Sequence, residues 1–363
     1  MLDIIFNPYL INIFLLIFSG LIIFGNKKIK NSKKLFIIIS SFQWILLAGL
    51  RHYSIGGPDV YITYYSSFNE SLITPWSQVI FEFSQIFTDF KNFGEPGYLL
   101  FEKLIGFFSS SYQFYLFALA VVFMAPFGVF VYKYSKNPLM SFLIYSTLFY
   151  SFFSLTGFRQ TLATTLIVLV GYDFIIKKKF ISFLILSFIA FTIHKSSIVF
   201  FPFYFLANIK INLQSIIAYL ILIIVLFFFG ESIYYPVAVF LGYEGMIENE
   251  IGGTLTFTLM MIFVGIVSVW RYKQVRRLDI NSNSMYIAVL IGILLSVLTL
   301  QNQSFMRVQQ YYSIFIILLI PNLIRSFKPS ERLVVSLVSV SVLLLLFLQN
   351  NPQYLFFWER VII

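Results

Sequence analysis

Long apolar segments follow one another along almost the whole chain. A helix that crosses the hydrocarbon core of a bilayer needs about 20 mostly apolar residues, and somewhat shorter helices are tolerated inside a bundle. Twelve segments fit this template, at residues 8–25, 35–50, 112–132, 138–155, 160–176, 179–193, 195–209, 214–229, 254–270, 284–300, 309–324 and 333–348. The pattern predicts an all-α polytopic membrane protein with about twelve transmembrane helices.

The composition agrees with a membrane protein rather than a soluble one. Hydrophobic residues make up 59% of the 363 positions and charged residues 11%, whereas a soluble globular chain has about 45–50% apolar and about 25% charged residues. The chain has no cysteine, which excludes disulfides, thiolate metal sites and cysteine nucleophiles. The formal net charge of +10 would indicate nucleic-acid binding only if the basic residues formed one solvated patch.

The Lys and Arg residues lie mainly in six loops between the predicted helices. These loops hold 18 of the 25 Lys and Arg residues, at 27–34, 133–136, 177–179, 210, 271–277 and 325–332. Such residues mark cytoplasmic loops, and with twelve helices all six loops fall on one side. Twelve of the 15 acidic residues fall on the other. We therefore expect a single membrane domain over residues 1–363, both termini in the periplasm, and no nucleic-acid partner.

One alternative concerns residues 179–209. His194 and Lys195 interrupt a single apolar stretch there, so one long helix competes with two short ones. One long helix would invert everything downstream and scatter the later basic loops to the wrong side. We therefore favour a break at His194.

Two predicted outer loops are long, at residues 51–111 and 230–253. In the first, a Gly-Gly-Pro turn precedes Asp59, which suits the first turn of a helix because the helix dipole favours an acidic residue there. Residues 76–90 have a loose helical period and predict a helix lying on the membrane surface. Residues 98–108 predict a second surface or re-entrant helix.

Seven basic residues lie outside the six basic loops, and three of them are arginines where an outer loop meets a helix. Arg51 ends the second predicted helix, Arg159 opens the fifth and Arg307 opens the eleventh, so all three lie at the outer surface with His194. Ionisable groups at membrane depth are costly and often functional, and the planar fork of Arg suits phosphate. A single interfacial Arg often snorkels or pairs with a loop acid, but three at one depth favour function.

These groups suit an anionic lipid head group such as a polyprenyl diphosphate. Asp59 or His194 could deprotonate an acceptor hydroxyl, while arginines stabilise the departing diphosphate. The alternatives are a helix-capping role for Asp59 and a structural role for His194. The outer face has no Asp-x-Asp pair that would suit a metal-dependent transferase, and the chain has no Gly-x-Ser-x-Gly nucleophile motif.

Short motifs occur in the order found in a known family. They are Arg51 with Gly56-Gly57-Pro58-Asp59, Glu95-Pro96-Gly97, Phe158-Arg159-Gln160-Thr161-Leu162-Ala163, Ile193-His194-Lys195-Ser196-Ser197, and Arg307 with Tyr311-Tyr312. On these residues the chain resembles the EpsG-like, or Wzy-type, polysaccharide polymerases of bacterial envelope synthesis. It departs from the family at Pro58, where we expect Thr or a similar residue, and in the spacing from Asp59 to the following tyrosines.

The resemblance implies an integral-membrane glycosyltransferase that uses neither metal nor cofactor. Such polymerases transfer a growing glycan from one undecaprenyl diphosphate to the terminal sugar of another lipid-linked repeat unit, on the periplasmic face of the bacterial inner membrane. The implied partners are undecaprenyl-diphosphate-linked oligosaccharides and membrane lipids, with a chain-length regulator as a further candidate. The implied architecture has periplasmic loop helices, and a GT-C-like bundle is one candidate for it.

The resemblance also gives each motif residue a candidate role. Arg159 and Arg307 would hold the donor diphosphate with help from Arg51, and Asp59 or His194 would act as the base. A turn role is the alternative for the residue before Pro96, and packing is the alternative for the paired tyrosines. The candidates for glycan binding are Tyr64, Glu95, Gln160 and Tyr311.

Two other functions stay open at this point. A flippase or exporter of lipid-linked sugars should have internal repeats and broken helices near the middle of the bilayer, and the sequence has no visible repeat. An O-antigen ligase uses the same lipid carrier and would share this architecture. The products that accumulate in a deletion strain distinguish the three.

Overall fold

A computed structural model describes residues 7–57, 59–90, 93–240, 255–279, 281–350 and 352–359. The regular structure within these ranges is helical, apart from one isolated antiparallel bridge between Arg51 and Phe356. The α-helices are, in chain order, α1 (Pro8–Gly25), α2 (Ser32–Gly49), α3 (Tyr65–Ile73), α4 (Trp76–Thr88), α5 (Pro96–Phe108), α6 (Tyr112–Tyr134), α7 (Pro138–Thr147), α8 (Phe149–Thr156), α9 (Phe158–Ile176), α10 (Phe180–Ile193), α11 (Phe203–Leu206), α12 (Leu213–Phe240), α13 (Leu255–Leu278), α14 (Ser282–Gln301), α15 (Phe305–Ser313), α16 (Ile316–Ser326) and α17 (Pro329–Asn350).

Eight of the described helices are long and apolar enough to cross a membrane. They are α1, α2, α6, α9, α12, α13, α14 and α17. The pair α7 and α8 would make a ninth span, bent by 60° at its break. The remaining predicted spans correspond to three shorter apolar helices, Phe180–Ile193, Lys195–Leu206 and Ile316–Ser326. The structure confirms a polytopic helical membrane protein, but not the count of twelve.

The short helices have local causes. Helix α10 ends at Ile193 because His194 has an extended backbone (φ −155°, ψ 113°), and Lys195–Phe200 continues as a 3₁₀-helix. This confirms the predicted break at His194 and excludes a single long helix there. The eleventh predicted segment is likewise divided, because turn residues 314 and 315 separate α15 from α16.

Contacts between loops place the basic clusters together at one end of the bundle. The Lys33 ammonium donates to the backbone carbonyl of Ser135 at 2.8 Å, and Lys136 pairs with Asp279 at 3.3 Å. Asp173, near the end of α9, pairs with Lys133 at 2.8 Å and with Lys177 at 2.6 Å. The charge clusters found in the sequence are therefore neighbours in space. That this end faces the cytoplasm stays a prediction.

The first predicted outer loop, residues 51–111, is largely helical and lies at the opposite end. The predicted surface segments 76–90 and 98–108 correspond to α4 and α5. Helix α4 buries Ile86 but exposes the apolar side chains of Ile80, Phe81 and Phe87. An apolar exposed face of this kind suits a helix at a membrane interface.

The second predicted outer loop, residues 230–253, lies partly outside the described residues. Helix α12 extends to Phe240, so the first part of this loop is helical. Residues 241–254, which include Glu244, Glu248 and Glu250, are not described.

Helix α9 changes its winding inside the bundle. Phe158–Thr164 and Gly171–Ile176 are α-helical, whereas Thr165–Val170 forms a π-helical turn between them. Single π-helical turns are rare and occur frequently at functional sites. This turn separates the outer part of α9, which contains Gln160, from the inner end, which contains Asp173.

Candidate functional site

A cavity of about 700 Å³ lies at the end of the bundle opposite the basic loops. Parts of the chain that are distant in sequence meet around it, namely the residues before α3 and before α5, the junction of α8 with α9, the turn at His194 and the start of α15. Its lining comprises Gly56, Thr63, Tyr64, Phe93, Gly94, Glu95, Phe152, Phe153, Thr156, Gly157, Arg159, Gln160, His194, Lys195, Gln303, Ser304, Met306 and Arg307. The volume lies within the range of small-molecule sites.

Glu95 connects three groups in this cavity. Its Oε1 lies 2.8 Å from Nδ1 of His194 and accepts the backbone N–H of Lys195 at 3.0 Å. Its Oε2 accepts from Nη1 of Arg159 at 3.3 Å. Glu95 has a left-handed backbone (φ 58°, ψ 58°) directly before α5, which is uncommon for a residue other than glycine. Backbone conformations of this kind cluster at functional sites.

Gly97 lets α5 approach α10 beside this cluster. A Cβ at position 97 would overlap Oγ1 of Thr192 and lie 2.9 Å from its carbonyl carbon. Gly97 comes two residues after Glu95, and Thr192 comes two residues before His194. The close contact between the helices therefore brings the carboxylate and the imidazole together.

The surroundings of Glu95 keep its carboxyl ionised. Burial alone would raise the pKa of Glu95, but the charge of His194, the hydrogen bond with it, Arg159 and the N–H of Lys195 together lower that pKa to about 2. An ionised carboxylate can only accept hydrogen bonds, so Nδ1 of His194 is the donor. In a neutral imidazole, Nε2 is then left as the proton acceptor.

Arg159 lies at the start of α9 and is held by aromatic rings as well as by Glu95. Its guanidinium lies 5.8 Å from the ring centre of Tyr64 and 5.2 Å from that of Tyr98. Its side chain keeps 33% of its surface exposed. This arrangement fixes a cation at the cavity wall while leaving part of it accessible to an anion.

Gln160 ties the start of α9 to the start of α15. Its Nε2 donates to the backbone carbonyl of Arg307 and to Oε1 of Gln310, the latter at 2.8 Å. The backbone of Arg307 is therefore fixed beside the helix that carries Arg159. Both arginines line the same cavity.

The family of the protein follows from comparison with known sequences. Residues 34–356 match the model of the EpsG family. The chain belongs to the EpsG family. This is a family of Wzy-like polysaccharide polymerases, so the resemblance predicted from the short motifs is confirmed. No curated protein and no solved structure matches the chain significantly.

Six of the site residues predicted from the sequence line the cavity of this EpsG-family protein. They are Tyr64, Glu95, Arg159, Gln160, His194 and Arg307. The cavity therefore contains two of the three predicted arginines and one of the two predicted bases. Their roles in binding and catalysis stay predictions.

Two predicted site residues lie elsewhere in the EpsG-family fold. Arg51 is 1% exposed, and its guanidinium lies over the ring of Phe158 at 5.1 Å. Tyr311 is fully buried, with its hydroxyl 3.1 Å from Oγ of Ser196. Neither residue lines the cavity, so the geometry favours packing for Tyr311 and gives Arg51 no direct path to a ligand in the cavity.

Asp59 is the other predicted base. It begins a π-helix over Asp59–Tyr64, but its side chain lies outside the described part of the chain. Its role as a base stays a prediction.

Sequence reasoning assigned no role to several polar residues of the cavity lining, among them Lys195, Gln303 and Ser304. The sequence signal for them was position: Lys195 directly follows His194, and Gln303 and Ser304 come shortly before Arg307. In the described ranges, no three His, Asp or Glu side chains come together as a group that could hold a metal ion.

Proposed function

We propose that this EpsG-family protein polymerises a bacterial O-antigen, capsule or exopolysaccharide. It transfers a glycan from undecaprenyl diphosphate to the terminal sugar of another lipid-linked repeat unit, at the periplasmic face of the inner membrane. Membership of the EpsG family supports the polymerisation. The observation that carries the chemistry is Glu95, which links His194 and Arg159 in a cavity that Arg307 also lines.

The two arginines of the cavity bind the donor diphosphate. Guanidinium groups stay charged at physiological pH and donate paired hydrogen bonds to phosphate oxygens. Negative charge grows on the diphosphate as it leaves the anomeric carbon, and fixed cations stabilise that charge in the transition state. Arg159 is already oriented by Glu95 and by two aromatic rings, so little reorganisation is needed when the donor binds.

His194 acts as the general base. Its Nε2 accepts the proton of the acceptor hydroxyl while the oxygen attacks the anomeric carbon of the donor. A new carbon–oxygen bond forms at that carbon, its bond to the diphosphate oxygen breaks, and undecaprenyl diphosphate leaves. Glu95 holds the imidazole in the required tautomer and stabilises the imidazolium that results.

The mixed lining of the cavity suits a lipid-linked sugar. Its cationic part suits the diphosphate, whereas Phe152, Phe153 and Met306 add apolar surface next to it. Phe152 is half exposed at the bent pair of helices α7 and α8. An isoprenoid chain attached to the diphosphate would meet apolar side chains at this point.

The direct test uses purified protein and defined lipid-linked repeat units. Arg159→Ala and Arg307→Ala should each lower the polymerisation rate by about 100- to 1000-fold, because each removes a guanidinium group that stabilises the charge on the leaving diphosphate. Arg277→Ala is the matched control, since Arg277 is exposed on α13 and does not line the cavity. Normal polymer length from both cavity variants, at equal membrane expression, would contradict the assignment.

The same reaction tests the expected independence from metal. A chelator should leave the rate unchanged, because Arg159 and Arg307 supply the positive charge that a divalent cation provides in metal-dependent transferases. A rate that falls with chelator and recovers on adding a divalent cation would contradict this part of the proposal.

A deletion strain distinguishes the polymerase from the two alternatives. Loss of a polymerase leaves single-repeat glycolipid, loss of a ligase leaves free lipid-linked polymer, and loss of a flippase leaves repeat units in the cytoplasm. We expect the single-repeat product.

A further inference from the structure

Arg51 is a buried cation with no anionic partner among the described residues. Its side chain is 1% exposed, and its Nε and Nη2 have no hydrogen-bond partner among the described residues. Burial of an unpaired charge is costly unless other interactions offset that cost. Contacts of the Arg51 side chain must therefore offset part of the cost of its burial.

Aromatic rings connect Arg51 to the cavity. The Arg51 guanidinium lies 5.1 Å from the ring centre of Phe158. That ring stacks on Tyr64, with ring centres 4.4 Å apart and planes 23° apart. Tyr64 in turn lies beneath the guanidinium of Arg159 at 5.8 Å. We call these four residues (Arg51, Phe158, Tyr64 and Arg159) the stack.

We propose that Arg51 is a positioning residue for the donor diphosphate, acting on Arg159 through the stack. The inference rests on the proposed function, because it takes Arg159 as a diphosphate ligand. Cation–π contact holds Arg51 on Phe158, and Phe158 directly precedes Arg159 in the chain. Arg51 therefore holds Phe158, the first residue of α9, in place. Because the Phe158 ring stacks on Tyr64, Arg51 also fixes the aromatic ring against which the Arg159 guanidinium lies.

Arg159 binds the diphosphate more tightly if its side chain is already ordered before the donor arrives. Its side chain is one-third exposed and is drawn towards Glu95 on one side. A ligand that must bind an incoming diphosphate loses affinity if ordering the side chain costs free energy at the moment of binding. A fixed aromatic surface removes part of that cost before the donor arrives.

Direct binding of the diphosphate by Arg51 does not fit the surroundings. Arg51 borders a separate cavity of about 10 Å³, which is no larger than the space that a single water molecule requires. Its other walls include Leu116, Phe123 and Tyr145. The cation therefore acts through the residues that it contacts.

The test measures binding of farnesyl diphosphate to the full-length protein in detergent. Arg51→Met should weaken binding on the order of tenfold, the effect expected for loss of a desolvated cation–π contact. Arg51→Lys, which keeps the cation, should recover part of that loss. Arg271→Met is the matched control, because Arg271 lies over Phe327 at 4.6 Å but does not line the cavity.

A double variant separates positioning from direct contact. If Arg51 acts through Arg159, Arg51→Met has no further effect on binding when Arg159→Ala is already present. Losses that add in the double variant would overturn the positioning role while leaving the proposed function intact. Failure of the wild-type protein to bind the probe would instead contradict the diphosphate site itself, and the positioning role with it.

Phe158→Leu provides an independent arm if Arg51→Met fails to fold. It removes the ring but keeps an apolar side chain, and it should weaken farnesyl diphosphate binding by a similar factor. In the polymerisation assay Arg51→Met and Phe158→Leu should raise the KM for the donor and leave the KM for the acceptor unchanged. A general structural defect would instead lower the fraction of active protein, and hence the apparent kcat, without changing either KM.

Discussion

Glu95 is the residue on which the charge balance of the cavity depends. Glu95→Gln keeps the shape of the side chain but removes the charge that orients His194 and pairs with Arg159. We expect kcat for polymerisation to fall about 100-fold, the contribution typical of a general base. Steady-state kinetics with defined lipid-linked substrates would measure it. Glu70→Gln, at an exposed position of α3, should retain full activity, and an equal loss in both variants would contradict the role of Glu95.

Glu102 makes protein stability depend on pH. Its carboxyl is fully buried, and burial raises its pKa to about 7 despite a hydrogen bond from Ser67 at 2.7 Å. A carboxyl whose folded pKa is raised stabilises the fold below its unfolded pKa, and that stabilisation is lost as the pH rises through 7. Wild-type Tm should therefore fall between pH 5 and pH 8, by the equivalent of about 3 kcal/mol at most.

The comparison variant for that experiment is Glu102→Gln. It has no titrating group at this position, so its Tm should be nearly constant over the same pH range. Thermal unfolding of both proteins in one detergent measures the difference. An identical pH dependence in the two proteins would exclude Glu102 as its source.

At the scale of single residues, sequence reasoning located the three arginines along the chain but could not predict where their side chains point. Arg51, Arg159 and Arg307 all lie where an outer loop meets a helix, and this can be read from the chain. Which way each guanidinium points depends on tertiary packing, and only two of them line the cavity. The position of Glu95 was likewise visible as a turn before Pro96, but its contact with His194 joins residues 99 positions apart, which no local pattern records.

Among the contacts between helices, the one between α5 and α10 matters most for the site. Gly97→Ala would place a methyl group against Thr192, so α5 must shift and carry Glu95 away from His194. We expect a loss of about 1–3 kcal/mol in stability together with a fall in polymerisation rate. Gly25→Ala is the matched control, because a Cβ there would meet no atom within 4 Å, and it should change neither quantity.

Differential scanning fluorimetry and the polymerisation assay would measure the two effects. A Gly97→Ala protein with wild-type activity would contradict the idea that this helix contact sets the distance between Glu95 and His194.

At the scale of elements, the apolar runs predicted the positions of the helices better than they predicted the interruptions within them. The surface helices α4 and α5 and the break at His194 were expected from periodicity and from an interrupted apolar stretch. The division of the eleventh segment into α15 and α16 and the π-helical turn of α9 were not expected. Both occur inside apolar sequence, and turn residues such as Ile314 and Phe315 give no local signal of a break.

The whole molecule separates its basic loops from its cavity, and orientation in the membrane can be tested directly. The chain has no native cysteine, so single cysteines can be introduced at the exposed positions Ser77 and Lys28. In intact spheroplasts a membrane-impermeant maleimide should label Ser77→Cys, and should label Lys28→Cys only after permeabilisation. This follows because Lys and Arg favour cytoplasmic loops. The reverse pattern would place the cavity in the cytoplasm and contradict the proposed reaction site.

At the scale of the whole molecule, the long apolar runs and the 11% of charged residues were enough to predict a membrane protein. Because charges are so few, the position of each one is informative about topology. The six basic loops fixed one end, and the charges left over indicated where the cavity lies. The number of full spans was less predictable, because a helix such as α10 is as apolar as a span but shorter.

The π-helical turn in α9 lies between two ends of the helix that make different contacts. On the inner side, Asp173 is pinned by ion pairs to lysines of two loops. At the other end of the helix, Arg159 and Gln160 line the cavity. Because the wide turn of Thr165–Val170 lies between them, the residues of the outer part face other directions than they would on an uninterrupted α-helix. Under the proposed function, substitutions around the cavity can change glycan specificity while the ion pairs of Asp173 stay the same.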